Sequence, residues 1–155
     1  MKNLLAIFLM VFLFASCEGP MGPPGQDGGI TEWWIKEDIK VKSSDWELVY
    51  NENKDPIYIY EYRIDDQDMS LYTDTYRKGL ITTYMYLDFD DDAEAQTALP
   101  NPVHRRDAKD NSILWTETYS CDYTRDGFLI FKVTFSDFFT DQRPPETHFK
   151  AVLTY

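Results

Sequence analysis

The sequence predicts an all-β fold, an antiparallel β-sandwich of Greek-key or immunoglobulin-like type with about seven strands and room for one short helix. Three observations carry this. From Ile30 onward apolar and polar residues alternate with a period of two, as half-buried strands require. The runs are short and separated by turn-forming residues, the pattern of sandwiches and barrels. Aromatic residues make up 16% of the chain, and aromatic and β-branched side chains suit a pleated, half-buried surface.

Taken in order, the first strand is W-W-I-K-E-D-I-K-V-K at 33–42. Strict alternation puts Trp33, Ile35, Ile39 and Val41 on one face and Trp34, Lys36, Asp38, Lys40 and Lys42 on the other. Trp33 and Trp34 cannot both point inward, so one is exposed and is the best single candidate for a binding contact. Further strands are expected at Trp46 to Tyr50, Ile57 to Ile64, Leu80 to Phe89, Ile113 to Tyr123, Phe128 to Ser136 and His148 to Tyr155. One helix is expected over Leu71 to Lys78, with Ser70 as N-cap and Gly79 at the C′ position. Pro100, Pro102, Pro144 and Pro145 punctuate the two longest loops.

The hairpin between Tyr123 and Phe128 can be read to the residue. The apolar face of its first strand is Trp115, Tyr119, Cys121 and Tyr123, and that of its second is Leu129, Phe131, Val133 and Phe135. A two-residue loop would turn the two sets to opposite faces. A three-residue loop, Arg125-Asp126-Gly127, pairs Tyr123 with Leu129, Cys121 with Phe131 and Tyr119 with Val133. It also places Gly127 where a type I turn with a bulge needs a left-handed residue.

Ahead of the β domain the chain has a different character. Lys2 precedes the apolar run Leu4 to Phe14 and then Ala15-Ser16-Cys17, the charged, apolar and small-residue order of a secretory signal. The run is shorter than the roughly 20 residues a spanning helix needs. Residues 1–16 are therefore expected to be removed. Residues 17–29 follow as a spacer with glycine at 19, 22, 25 and 28. Collagen needs that period because only glycine fits at the axis of three polyproline-II chains. So few triplets favour an extended spacer and a monomer over a trimer. The remaining domain, 30–155, is long enough for one core.

Without residues 1–16, fourteen basic residues face 27 acidic ones, a net charge of −13. Such a surface is repelled by nucleic-acid phosphates and anionic headgroups, so no nucleic-acid partner is expected and membrane attachment must come from a lipid. If Cys17 is acylated, Cys121 has no partner within the chain, and its expected role is that of a small buried hydrophobe.

Candidate sites are few. Asp88, Asp90 and Asp92 lead the densest acidic cluster, in a loop of the kind that suits a hard cation. As an EF-hand it fails, because the sixth position is Ala93 and the twelfth Leu99. A solvated loop without metal is the expectation. Tyr58, Tyr60 and Tyr62 make a stripe on one strand face, expected to pack the sheet. His104, Arg105 and Arg106 form the one basic cluster, and His104 and Arg105 join Trp33 and Trp34 as candidate binding residues. No nucleophile elbow, zinc-protease motif, phosphate loop or dinucleotide fingerprint is present, so no catalytic residue and no cofactor are expected.

The order of signal, F-A-S-C and G-P-M-G-P-P-G across Lys2 to Gly29 resembles small envelope lipoproteins of diderm bacteria that carry a collagen-like stub after the lipidated Cys. D-W at 45–46, Q-T-A-L-P at 96–100, V-T-F-S-D-F at 133–138 and F-K-A-V-L at 149–153 are similar to the β domain found behind such stubs. The resemblance implies lipidation at Cys17 and a place in the cell envelope, anchored to a bacterial membrane and most naturally the outer one. It implies no activity. The expected function is a non-enzymatic domain that binds an envelope protein or a glycan. The alternative is a hydrolase or accessory factor acting on polysaccharide, favoured by a groove with two facing carboxylates.

Overall fold

The computed structural model describes residues 33–107 and 109–155. Cys17 and the glycine triplets lie outside these. The described chain is a sandwich of two antiparallel sheets. Its strands are β1 (Trp33–Val41), β2 (Glu47–Tyr50), β3 (Pro56–Arg63), β4 (Leu80–Leu87), β5 (Ala95–Ala98), β6 (Asn101–Arg106), β7 (Leu114–Tyr123), β8 (Phe128–Phe135) and β9 (Thr147–Thr154). One sheet has the order β1-β9-β4-β5 and the other β2-β3-β8-β7-β6.

Among the described residues the strands number nine, two more than the about seven expected. The additional pair, β5 and β6, comes from the proline-punctuated stretch read as a loop, and Pro102 sits inside β6. Because β6 is an edge strand, one side of its backbone has no ladder to feed, and a residue without an N–H is tolerated there.

Alternation builds the core. Leu129, Phe131, Val133 and Phe135 of β8 are all buried, and so are Phe149, Ala151 and Leu153 of β9. The two sheets meet where Phe131 stacks on Phe149, with ring centroids 4.3 Å apart. Trp46, 1% exposed, stands edge-on to both Phe149 and Tyr60. The tyrosine stripe of β3 also faces inward, since Tyr58, Tyr60 and Tyr62 lie opposite Val133, Phe131 and Leu129.

Strict alternation fails in β1. Lys36 pairs with Ala151 but Ile39 pairs with Phe149, so one extra residue is accommodated at Glu37-Asp38. A bulge of this kind shifts the face of everything before it. Ile39 and Val41 remain inward, Trp34 joins them opposite Leu153, and Trp33 turns out to solvent. Trp33 therefore does not share a face with Ile39, contrary to the simple period-two reading.

The helix, α1, spans Met69–Lys78, two residues longer at its start than expected. Its N-cap is Asp68 rather than Ser70, and Asp68 makes no side-chain cap bond. Its carboxylate instead accepts the indole N–H of Trp34 at 2.9 Å, tying the helix entry to β1. Gly79 caps the other end with φ −104°, not left-handed. Glycine is needed there because a Cβ would collide with the Thr154 carbonyl.

The β7–β8 hairpin follows the three-residue register, Tyr123 opposite Leu129, Cys121 opposite Phe131 and Tyr119 opposite Val133. Gly127 has φ +86°, and its N–H donates to the Thr124 carbonyl.

Candidate functional site

On β7 the inward positions are 115, 117, 119, 121 and 123, and the second of them is Glu117. Its side chain is 7% exposed. A buried carboxylate must be paired and hydrogen-bonded to be tolerated, and this one accepts three donors. Arg105 Nε lies 3.0 Å and the Tyr119 hydroxyl 2.9 Å from Oε2, while Trp115 Nε1 donates to Oε1 at 3.3 Å. Register brings them together, because β6 sets Arg105 opposite Trp115 and Val103 opposite Glu117. Burial works against the Arg105 charge, but the hydrogen bond and charge of Glu117 outweigh it and hold the guanidinium above its ordinary pKa. Burial, then the Glu117 charge, pushes the Tyr119 phenol up.

The Trp115 indole has a second environment. It walls an open recess of about 510 Å³, lined also by Asp107, Leu114, Phe135, Asp137 and Phe139. Four large apolar side chains crowd this end of the sandwich while remaining well exposed: Ile113 at 49%, Leu114 at 62%, Phe138 at 58% and Phe139 at 63%. Phe138 also has φ +58°, a strained conformation for an aromatic residue. Short-range bonds shape the two loops of the rim. Asp107 Oδ1 accepts the backbone N–H groups of Lys109 and Asp110, both at 2.7 Å, and Asp137 Oδ1 accepts that of Phe139 at 3.2 Å.

Beyond Arg105 and Tyr119 lies a smaller cleft of about 350 Å³, which also takes in Met85, Asp88, Glu146 and His148. His148 stacks on Phe89 with ring centroids 3.9 Å apart. Its Nδ1 lies 2.8 Å from Asp38 Oδ1 and its Nε2 3.5 Å from Glu146 Oε1. Lys40 Nζ lies 2.7 Å from the same Glu146 oxygen. That ammonium, followed by His148, holds Glu146 below the usual carboxylate range.

The structure separates the residues singled out from sequence. Trp33 is 67% exposed at the start of β1, whereas Trp34 is half-buried against the core and bonded to Asp68. His104 and Arg105 point to opposite faces of β6. Arg105 joins the Glu117 network, while His104 is exposed with Nδ1 3.0 Å from Thr116 Oγ1. Asp88 and Asp90 have positive φ, 51° and 63°, in a loop where Asp91 and Glu94 carboxylates accept its own backbone N–H groups. Among the described residues no group of three His, Cys, Asp or Glu side chains could hold a metal ion. Cys121 is half-buried on β7, and burial pushes its thiol up to about 12.

Two features of the site escaped sequence reasoning. Glu117 was legible in principle, as the one acid in phase with the apolar face it interrupts. The recess was signalled by Phe138-Phe139, adjacent aromatics ahead of a proline-bounded loop, which cannot both enter one core. Fold and site together define a β-sandwich with a carboxylate-centred network inside it and an aromatic recess at one end. In comparison with known proteins the chain matches no family model, and no similar curated protein or solved structure was found. Among the described residues no helix is long and apolar enough to cross a membrane.

Proposed function

We propose that this is a lipid-anchored protein of the bacterial cell envelope whose sandwich binds a partner, a protein or a glycan, without catalysing a reaction. The anchor would be the acylated Cys17 and the spacer the glycine triplets behind it. The observation that carries the binding reading is the recess. Exposed apolar side chains contiguous with a concave, mostly apolar site are where partners dock. The domain's buried and clustered titratable groups are committed to one another: Glu117 to three donors, and His148 to Asp38 and Glu146.

The second reading, a polysaccharide hydrolase, draws on Asp107 and Asp137, two carboxylates lining the same recess. Each is already bonded through Oδ1 to the backbone of its own loop, which suits a rim-forming role.

A photo-crosslinking amino acid placed at Leu114 in the full chain, in living cells, tests the binding reading. Leu114 should give a defined adduct that Phe139→Ser removes, and the same probe at Tyr50, which is 61% exposed on β2, should not. Equal crosslinking from both positions would defeat it. Turnover of a polysaccharide panel, abolished by Asp107→Asn or Asp137→Asn with the fold intact, would favour the hydrolase. The anchor is tested by feeding cells a labelled fatty acid, which should label the wild type and not Cys17→Ser.

A further inference from the structure

We infer that the occupant of the recess is a polypeptide segment carrying Lys or Arg next to aromatic or aliphatic side chains. The inference rests on the binding reading above and adds the chemistry of the partner.

The recess has an apolar floor and an acidic rim. Phe135 and half-buried Trp115 supply the floor, Leu114 and Phe139 its exposed walls, Asp107 and Asp137 also line it, and among the described residues no basic side chain does. The stretches around it, 107, 109–113 and 136–142, carry Asp107, Asp110, Asp137 and Asp141 against the single ammonium of Lys109. Arg106, opposite Leu114 on β6, stands beside the recess without lining it, and two further arginines are engaged elsewhere. Arg105 is held on Glu117, and Arg143 donates to the carbonyls of Ser44 and Trp46 at 3.2 and 3.0 Å.

A ligand matching this surface must offer apolar area and positive charge within a few ångströms of each other. A neutral sugar meets the aromatic floor and can donate hydroxyls to the carboxylates, but it leaves their charge unneutralised, and an anionic ligand is repelled by the rim. A basic, apolar peptide answers both. Its cation would stand against carboxylates at the wet edge, where attraction is screened by salt, while its apolar side chain fills the dry centre, where such anchors carry most of the affinity.

The test uses the full chain held in nanodiscs of zwitterionic lipid, with empty nanodiscs as the blank. Three probes are compared by fluorescence anisotropy: a labelled Gly-Lys-Trp-Lys-Leu-Gly peptide with blocked ends, the same peptide with Glu in place of Lys, and labelled chitohexaose. The lysine peptide should bind about tenfold or more tighter than the glutamate peptide, the size of effect that opposite and like rim charges give. Phe139→Ser should weaken it about tenfold, as loss of a central aromatic anchor does. The double variant D107N/D137N keeps an Oδ1 acceptor for each loop, so the rim holds its shape. It should weaken binding several-fold and flatten the salt dependence, because only the screened attraction is removed.

Equal affinity for the two peptides, or a salt dependence unchanged by D107N/D137N, overturns the inference and leaves the binding reading standing. So does preferential binding of chitohexaose that Phe139→Ser weakens. Binding of none of the probes overturns the inference as well, and the Leu114 crosslinking then decides the reading beneath it.

Discussion

The two ends of the β7–β8 hairpin are built in opposite ways. At the turn, α1 plugs the sandwich. Tyr72 is fully buried and its hydroxyl donates to the Thr124 carbonyl at 2.6 Å, Ile64 N–H donates to the Gly127 carbonyl, and Met69 lies where a Gly127 side chain would go. At the other end, about 30 Å away along ten residues of extended chain, no helix among the described residues covers the core. The 136–142 loop leaves Phe138 and Phe139 in solvent, and Trp115 and Phe135 line the recess. Near that end the structure also tolerates a buried carboxylate. Under the binding reading proposed above, the open end is the one that carries recognition, as loops set on a rigid scaffold commonly do.

The largest effect should come from breaking the network beside the open end. Arg105→Ala leaves Glu117 charged and almost wholly buried, and removing one partner of a buried pair costs about 3–5 kcal/mol. Glu117→Ala should cost less, since Arg105 is 39% exposed and half-buried Trp115 lines the open recess, so both can rehydrate, leaving chiefly the Tyr119 hydroxyl unpaired, at about 1–3 kcal/mol. Urea denaturation midpoints should rank the two in that order. The reverse order would mean that Arg105 contributes no compensating charge.

At the closed end, Gly127→Val should cost about 1–3 kcal/mol, chiefly from a β-branched residue at positive φ, since the flexible end of Met69 can move aside. A melting temperature unchanged by this substitution would show that the turn does not hold residue 127 in the left-handed conformation. Thr75 gives a smaller effect of opposite sign. It is 1% exposed and its hydroxyl has no hydrogen-bond partner among the described residues. Thr75→Val, which keeps the shape and removes the unsatisfied oxygen, should stabilise by about 1 kcal/mol. Destabilisation by the same amount would place a hydrogen-bonding partner at that hydroxyl.

How much of this was legible in the sequence follows the same division. The closed end was read almost to the residue, because a hairpin's register is fixed locally by glycine placement and face pattern, as at Gly127 and Tyr123. The helix was found but its N-cap misplaced, since Asp68 is recruited by Trp34 from 34 residues away, a tertiary choice no local signal carries. β6 escapes the sequence reading because proline suppresses a strand unless it is known to lie at an edge, and β5 because Ala95–Ala98 is short and, Thr97 apart, lacks β-branched and aromatic residues. The bulge at Glu37-Asp38 inverted the Trp33 and Trp34 assignment for a related reason, because alternation cannot announce an inserted residue. His104 and Arg105, neighbours in sequence, were grouped as one cluster, although adjacent residues on a strand must face opposite ways. The open end was the least legible, since a recess exists only once two distant loops meet.

The contrast between ends is sharpened by substitutions that should do nothing to stability. Leu114→Ser and Phe139→Ser remove large apolar side chains, yet each is more than 60% exposed. Changes at such positions ordinarily stay within about 0.5 kcal/mol. A loss beyond about 1.5 kcal/mol from either would show that the recess is a packed surface and the sandwich closed at both ends.

The smallest perturbation changes no side chain and reads Cys121, on β7 beside the closed end. Its Sγ donates weakly to the Asp122 carbonyl at 3.6 Å, and burial pushes the thiol up to about 12. Since the thiolate is the reacting form, its fraction at pH 8 falls roughly a thousandfold below that of an ordinary thiol with a pKa near 8.5. A thiolate of higher pKa is also the stronger nucleophile, which returns part of that loss. The net expectation is alkylation by iodoacetamide about a hundredfold slower than for free cysteine at pH 8. A raised pKa means the proton is held longer, so the rate should climb nearly tenfold per pH unit from 8 to 10, without the levelling that free cysteine shows above 9. In urea the difference should vanish as the strand pairing is lost. Rapid labelling of the folded chain at pH 8, or a plateau near pH 9, would show that the thiol meets water as the thiols of loops do, and that β7 is open along its length rather than at one end.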